Sequence, residues 1–203
     1  MKLTSDLETW GIADPEDLWV FDKLLLSRRL GYLCGPKGLY VPKPGRYIVR
    51  PCVNLLGMGR GAKVMYLKDN TEYNMVDGTF WCEIFKGQHL SIDYCDGKQI
   101  LCVEGVKYSA NDMQRWKVWR KVTQKPKLPK LIRNLKNKYQ YLNVEMIGGK
   151  IIEVHLRLNP DFQDHNSPYV IPVYKDEEIN PNSCQEFIMS PDEERVGFYI
   201  RKT

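Results

Sequence analysis

Apolar and polar positions alternate most regularly near the middle of the chain, where residues 143–161 predict a β-hairpin that turns at two glycines. Successive side chains of a strand point to opposite faces, so every second position shares a face. One face of the second arm is mostly apolar, and the other carries Glu153, His155, Arg157 and Asn159. Such a polar face is typical either of a half-exposed strand or of a site that binds ions.

The length of the hairpin turn decides where Glu145 points. A loop of Gly148, Gly149 and Lys150 places Glu145 opposite Glu153, whereas a loop of the two glycines alone puts the carboxylates on opposite faces. We expect the three-residue loop, which is a common hairpin type. Two facing carboxylates are stabilised by a cation between them, and oxygen ligands suit Mg²⁺. An ordinary half-exposed hairpin remains the alternative.

The rest of the pattern predicts an α+β chain with two helices and short antiparallel strands. Residues 1–15 are polar and predict an N-terminal arm, and residues 34–46 predict a loop because they are rich in proline and glycine. Helical spacing extends over 16–30 and over 129–139. Apolar or alternating runs predict strands at 47–51, 63–67, 80–85, 89–94, 99–104, 186–189 and 196–200.

A glycine-rich loop joins the strands predicted at 47–51 and 63–67. Gly57, Gly59 and Gly61 allow backbone amides to approach an anion closely, and Arg60 adds positive charge. The loop lies between two strands, unlike the strand–loop–helix order of the better-known phosphate loops. A flexible hairpin loop without a ligand is therefore an open alternative.

Composition narrows the class of protein. The 203 residues suffice for one large domain or two small lobes, and a net charge of +5 fits an anionic ligand such as a nucleotide. No apolar run reaches the length of a membrane span and no signal-peptide pattern appears, so we expect a cytoplasmic protein with no membrane partner. The six cysteines lack metal-binding spacing, which favours reduced thiols.

The basic excess is concentrated in residues 114–138, together with Trp116 and Trp119. Basic side chains interleaved with aromatic ones are used to bind single-stranded nucleic acid. A solvated loop followed by a surface helix explains the same composition, and we do not favour a nucleic-acid partner. The basic residues are Arg115, Lys117, Arg120, Lys121, Lys125, Lys127, Lys130, Arg133, Lys136 and Lys138.

The order of these motifs over residues 20–160 resembles the ATP-grasp superfamily. The motifs are Lys23 in FDKLLLSRRLG, Arg50 in YIVRP, the glycine-rich loop, Glu83 in WCEIFKG, and the hairpin ending Glu-x-x-x-Arg. The resemblance implies an α+β ATP-grasp fold with two lobes built on antiparallel sheets that sandwich the nucleotide. It places the small lobe at 16–78 and the large lobe at 79–203.

The resemblance also implies a role for each matching residue. Lys23 and Arg50 would contact the nucleotide phosphates, with arginine at a position where the family usually has lysine. Glu145 and Glu153 would bind Mg²⁺ together with His155, which stands where the family has asparagine. Arg157 would face an acyl phosphate, and Arg115 or Lys117 would lie in the acceptor region. The remaining ATP-contacting residues would be Gly57, Gly59, Arg60, Gly61, Glu83, Ile84 and Phe85.

The chemistry implied by the resemblance is ATP-dependent ligation. ATP phosphorylates a carboxylate, and an amine or a thiol then displaces phosphate, with Lys23, Arg50 and Arg157 as catalytic residues. Family members generally carry an N-terminal α/β domain that has no counterpart before residue 16. We therefore expect a small acceptor site built from 107–140 and the C-terminal tail, or a partner protein in its place. The alternatives are a nucleotide-binding or nucleic-acid-associated protein without ligase activity, and a ligase that modifies a macromolecule.

Overall fold

A computed structural model describes residues 5–53, 59–69, 71, 74–109, 113–192 and 194–202. The chain forms two compact units. Unit 1 consists of Met1–Gln88 and Val144–Arg157, and unit 2 consists of His89–Asn143 and Leu158–Thr203. These units divide the chain differently from the lobes predicted at 16–78 and 79–203.

The helices are short. They are α1 (Asp6–Trp10), α2 (Lys23–Arg29) and α3 (Lys130–Lys138), with 3-10 helices at Pro15–Phe21 and Pro160–Phe162. The single helix predicted over 16–30 is therefore divided at Asp22, whose backbone is extended. The Asp22 side chain accepts a hydrogen bond from the amide of Leu25 at 2.9 Å and so begins α2 as its N-cap. No helix in the described part of the chain is long and apolar enough to cross a membrane.

The strands come close to the predicted positions, with three additions and one shortening. β1 lies inside the predicted loop at 34–46, β7 lies in the basic segment 114–138 that was expected to form a loop and a helix, β10 was not predicted, and the strand predicted at 80–85 ends at Cys82. The strands are β1 (Cys34–Pro36), β2 (Gly45–Pro51), β3 (Lys63–Leu67), β4 (Thr79–Cys82), β5 (His89–Cys95), β6 (Lys98–Lys107), β7 (Trp116–Lys121), β8 (Tyr141–Ile147), β9 (Lys150–His155), β10 (Tyr169–Tyr174), β11 (Gln185–Met189) and β12 (Arg195–Arg201).

Unit 1 contains an antiparallel sheet in the order β1-β4-β2-β3. Burial alternates along β2, so that Tyr47 and Val49 enter the core with Trp81 of β4, while Arg50 takes the opposite face. Arg50 lies opposite Phe80 in the β2–β4 register. The sheet thus carries the side chain of Arg50 on the face that does not pack into this core.

Unit 2 contains a second sheet with the order β11-β12-β10-β7-β6-β5, and β8 and β9 are neighbouring strands of the central hairpin. Within unit 2, β5 and β6 form a hairpin whose turn residues Asp96 and Gly97 both have positive φ, as a two-residue turn of this type requires. Ile132 and Leu135 of α3 are buried, as helical spacing predicted. The strand pairs β1–β4, β2–β3, β10–β12 and β6–β7 are antiparallel, which confirms the α+β class.

Candidate functional site

The hairpin at the centre of the chain forms, but its turn is shorter than predicted. β8 ends at Ile147 and β9 begins at Lys150, so Gly148 (φ 55°) and Gly149 (φ 79°) make the turn alone. Positive φ at both positions matches the twist of the adjoining strands. The prediction of a three-residue loop is therefore wrong, whereas the position of Glu145 relative to Glu153 stays a prediction.

The polar face of β9 is buried and charged. Glu153 forms an ion pair with Lys23, with 3.0 Å between Oε1 and Nζ, and His155 Nε2 lies 3.7 Å from the same oxygen. His155 is only 4% exposed. On the other side of the ring, Nδ1 lies 2.9 Å from Oδ1 of Asp6, and Arg157 Nε donates to that oxygen at 3.0 Å. We call Asp6, Lys23, Glu153, His155 and Arg157 the charged cluster.

Asp6 is the member of the charged cluster that sequence reasoning missed. It begins α1, where Ser5 and Glu8 form a capping box, and the motif Ser-x-x-Glu is a sequence signal for a helix start. That signal predicts where the helix begins, but it says nothing about which distant side chain meets it. The N-terminal arm therefore contributes a carboxylate to the residues predicted for magnesium and the acyl phosphate.

Arg50 is a partly buried cation of unit 1. Its Nε is buried and has no hydrogen-bond acceptor among the described residues, while its guanidinium lies 5.1 Å from the centre of the Phe80 ring. Burial lowers the pKa of Arg50, and the nearby charge of Glu153, and to a smaller degree that of Glu145, raises it. Both carboxylates therefore lie near one guanidinium, which an additional anion would neutralise further.

The segment predicted to contact adenine and ribose is held to Leu33 by two hydrogen bonds and to Tyr32 by ring packing. The Glu83 amide donates to the Leu33 carbonyl at 2.9 Å, and the Leu33 amide donates to Glu83 Oε1 at 3.0 Å. The Phe85 ring packs edge-on against Tyr32 at 4.8 Å. The Tyr32 hydroxyl accepts from the Ile151 amide at 2.9 Å, so Tyr32 connects this segment to β9.

Two glycines allow the same segment to pack directly on the hairpin turn. The Gly148 amide donates to the Gln88 carbonyl at 2.9 Å. A Cβ at Gly87 would lie 2.7 Å from the Gly148 Cα, and a Cβ at Gly148 would overlap the Lys86 carbonyl oxygen. The glycines are therefore required by a close approach of two backbones.

The described part of the glycine-rich loop folds back on β2. Gly59 and Gly61 have φ values of 71° and 69°, and the Ala62 amide donates to the Gly59 carbonyl at 3.0 Å. A Cβ at Gly61 would lie 2.9 Å from Pro51 Cγ, one residue after Arg50. Arg60 lies between these glycines, and Gly57 lies outside the described residues.

Similarity to solved structures identifies the fold. The chain resembles a protein from Archaeoglobus fulgidus assigned to the ATP-grasp superfamily, with a TM-score of 0.52, 14% identity, and coverage of 91% of this chain and 65% of that one. The chain has an ATP-grasp fold. No family model matches the sequence, and no curated protein matches it.

Two ligases are also among the similar structures, at lower scores. The chain matches N5-carboxyaminoimidazole ribonucleotide synthetase from Thermus thermophilus at a TM-score of 0.48 and 10% identity, covering 90% of this chain and 68% of that one. It matches D-alanine–D-alanine ligase from Bacillus anthracis at 0.41 and 19%, covering 69% and 58%. The chain spans 65% of the length of the Archaeoglobus structure and 58% of that of the Bacillus ligase.

The ATP-grasp residues predicted for nucleotide and phosphate contacts lie in unit 1, whereas those predicted for the acceptor region lie in unit 2. Arg115 pairs with Asp176 and stacks over the Tyr174 ring, and Lys117 is exposed on β7. Trp116 and Trp119 are 4% and 9% exposed. These tryptophans are therefore core side chains, and they do not form the aromatic platform that single-stranded nucleic acid needs.

Glu153 and His155, two of the three predicted magnesium ligands, already have partners within the protein. Glu153 is paired with Lys23, and the two ring nitrogens of His155 face Asp6 and Glu153. Hard cations such as Mg²⁺ prefer several free oxygen ligands. In the described part of the chain, the carboxylates that lie close enough to share an ion are instead Asp14, Glu16 and Asp17, and two of these three are exposed. The assignment of Glu145, Glu153 and His155 as metal ligands stays a prediction.

Proposed function

We propose that the protein is an ATP-dependent ligase that activates a carboxylate as an acyl phosphate for attack by an amine or a thiol. The observation that carries this proposal is Arg50 in an ATP-grasp fold, since its Nε is buried without a hydrogen-bond acceptor among the described residues and burial lowers its pKa despite two nearby carboxylates. A buried charge without a full set of partners is costly, so its retention favours an anionic ligand. In an ATP-grasp fold, the polyphosphate of bound ATP would be the anion that pairs with Arg50.

In this proposal the cations of unit 1 stabilise the phosphoryl group as it moves. Phosphoryl transfer depends on positioning and on neutralising charge that spreads over the phosphate oxygens. Arg50 presents a planar fork of donors to these oxygens, and Lys23 presents a point charge. Lys23 is paired with Glu153, so ATP binding exchanges one anionic partner of Lys23 for another.

Arg157 would bind the acceptor carboxylate and then its acyl phosphate. Its Nε donates to Asp6, whose carboxylate has the same charge and geometry as the substrate group. The substrate therefore has to displace Asp6 from Arg157 and His155. Glu83 would bind the nucleoside through the carboxylate oxygen that Leu33 does not use. Because Glu153 and His155 already have partners within the protein, we assign no step to a metal ion.

A nucleotide-binding protein without ligase activity is the second candidate. It is favoured by the internal pairing of the charged cluster, in which Lys23 and Arg157 already have carboxylate partners. Such pairing lowers the affinity for external anions. It would leave Arg50 as the main contact to phosphate, and a protein of this kind would bind ATP without turnover.

The test is release of phosphate from ATP by the full chain in the presence of mixed carboxylates and mixed amines or thiols. We expect release that requires both pools and is lost in Arg50→Met. Arg120→Met is the matched control, because Arg120 is an exposed arginine paired with Glu104 in unit 2, and its release should equal that of the wild type. ATP binding without release in any pool would exclude the ligase and leave the second candidate. No ATP binding would exclude both.

A further inference from the structure

Two cysteines of unit 1 face each other across adjacent strands. β1 and β4 pair antiparallel, and their register places Cys34 directly opposite Cys82. Both are free thiols in this structure. Side chains of directly opposed residues leave the sheet on the same face, so the two sulfur atoms share one side of the β1–β4 ladder.

The hydrogen bonds around this pair show which kind of position it occupies. The Glu83 amide donates to the Leu33 carbonyl, and the Lys37 amide donates to the Thr79 carbonyl. Hydrogen-bonded and non-hydrogen-bonded pairs alternate along an antiparallel ladder. Because Leu33 and Glu83 form a hydrogen-bonded pair, the next pair along, Cys34 and Cys82, is a non-hydrogen-bonded one.

Non-hydrogen-bonded pairs bring the two chains closest together. Their Cα atoms are typically about 4.5 Å apart, compared with about 5.5 Å at hydrogen-bonded pairs. A disulfide spans Cα distances of roughly 4.4 to 6.8 Å. The Cys34–Cys82 position therefore meets the distance requirement without movement of the backbone.

We propose that Cys34 and Cys82 are a reversible disulfide site, closed by exchange with a low-molecular-weight disulfide such as glutathione disulfide. The Cys34 thiolate attacks one sulfur of the oxidant and releases one glutathione thiolate. The Cys82 thiolate then attacks the Cys34 sulfur of the mixed disulfide and releases the second. The two cysteine protons go to the two leaving thiolates, and the oxidant takes up both electrons.

Burial assigns the order of the two steps. Cys82 is 1% exposed and Cys34 is half-buried, so Cys34 is the thiol that the oxidant reaches. Burial raises the pKa of both thiols, that of Cys82 to about 12, while the positive charge of Arg50 acts in the opposite direction on each. Since the thiolate is the nucleophile, closure should accelerate about tenfold per pH unit below the pKa of Cys34.

The disulfide would link β4 covalently to β1 directly before the segment predicted to contact adenine. Cys82 is followed directly by Glu83, and Cys34 is preceded by Leu33, which holds the Glu83 carboxylate. The proposal does not depend on ligase activity, because it concerns the ladder and the thiols alone. Its test uses no nucleotide, so it can fail while the proposed function stands.

The experiment is a redox titration of the full chain in mixtures of glutathione and glutathione disulfide, with free thiols alkylated at each point. Peptide mapping of the wild-type protein should show one linked pair, Cys34 with Cys82, and reduction should reverse it. Cys34→Ser and Cys82→Ser should each remove the linked peptide. Cys184→Ser is the matched control, since Cys184 is exposed, and it should leave the linked peptide unchanged.

The wild-type map decides the outcome even where a serine variant folds poorly. Excess oxidant that modifies Cys184 with glutathione but yields no Cys34–Cys82 peptide would overturn the proposal. A linked peptide that joins either cysteine to a different partner would overturn it as well. A Cys34–Cys82 peptide whose formation accelerates between about pH 7 and pH 9 is the expected result.

Discussion

Each unit of the protein contains an arginine with a buried Nε, and the surroundings of these two arginines shift the pKa in opposite directions. In unit 2, Arg195 donates to Asp161 at 2.6 Å and also lies near Asp192. Burial acts to lower the pKa of Arg195, but Asp161 and Asp192 outweigh it, so that the pKa is raised. In unit 1, burial outweighs the carboxylates around Arg50, and the pKa is lowered.

This difference separates an arginine that stabilises the fold from one that can bind a ligand. A buried ion pair with good geometry holds its charges in place, whereas an incompletely paired charge raises the free energy of the folded state. Arg195 has its anions supplied by the chain, although its Nε, like that of Arg50, is buried without a hydrogen-bond acceptor among the described residues. Arg50 shares Glu153 with Lys23, and so it retains the capacity to pair with an anion from outside.

The largest expected effect is on stability in unit 2. Arg195→Ala should lower the free energy of unfolding by about 3–5 kcal/mol, because it leaves Asp161 partly buried without its cation. Urea denaturation followed by tryptophan fluorescence measures this change. The control is Arg120→Ala, which breaks an ion pair of an arginine side chain that is 57% exposed and should cost at most about 1 kcal/mol. Equal losses would show that burial of the pair at Arg195 does not matter.

Arg50→Met should show the reverse pattern. Its unfolding free energy should change by less than about 2 kcal/mol, because a poorly paired buried charge is replaced by an apolar side chain. The Kd for ATP should rise at least tenfold, which is about 1.4 kcal/mol. Isothermal titration measures the Kd. Arg50→Lys retains the charge and should lose less affinity than Arg50→Met. A stability loss as large as that of Arg195→Ala would remove the distinction between the two arginines.

Asp6→Asn should make Arg157 more available to an anionic ligand, because it removes the carboxylate charge that pairs with Arg157. The change removes the negative charge that pairs with His155 and Arg157 but keeps an acceptor, and it should lower the unfolding free energy by about 1 kcal/mol. With the competing carboxylate gone, inorganic phosphate and ATP should bind more tightly, as measured by titration. Glu8→Gln is the control within the same helix. Weaker phosphate binding in Asp6→Asn would show that Asp6 supports the anion site instead of competing for it.

The smallest expected effect is on stability at alkaline pH, where the Cys82 thiol and the Tyr174 hydroxyl lose their protons. Burial raises the pKa of Cys82 and that of Tyr174 to about 12 each, and the neighbouring arginine acts against this in both cases. A folded-state pKa above the unfolded value stabilises the protein below the unfolded pKa, and this stabilisation is lost as the pH rises. The unfolding free energy should therefore fall between about pH 9 and pH 12. Cys82→Ser should fall less steeply, as measured by urea denaturation at each pH.

Local patterns in the sequence predicted the local structure well. Apolar or alternating runs located β2, β3, β5 and both arms of the central hairpin, and in β2 every second residue enters the core. Helical spacing located α3, because Ile132 and Leu135 share a buried face. The ATP-grasp fold was predicted from the order of the motifs, and similarity to a solved structure confirms it.

The features that the sequence did not predict depend on contacts between distant residues or on a choice between turn types of similar sequence. Asp6 and His155 are 149 positions apart, and no spacing rule connects them. The turn at Gly148 could not be distinguished from a three-residue loop, because both types use glycine with positive φ. The opposition of Cys34 and Cys82 requires the pairing of β1 with β4, and β1 itself lies in a stretch rich in proline and glycine.

The contact between Gly148 and Gln88 has a consequence for measuring motion. The Gly148 amide donates its proton to the Gln88 carbonyl, and a side chain at Gly148 would overlap the backbone of the neighbouring segment. This proton can exchange with solvent only when the hairpin tip and the segment after Phe85 separate. The Gly148 amide has the distinctive NMR chemical shift of a glycine, so its exchange rate would report how often the two segments separate. Repeating the measurement with bound nucleotide would show whether the nucleotide slows this separation.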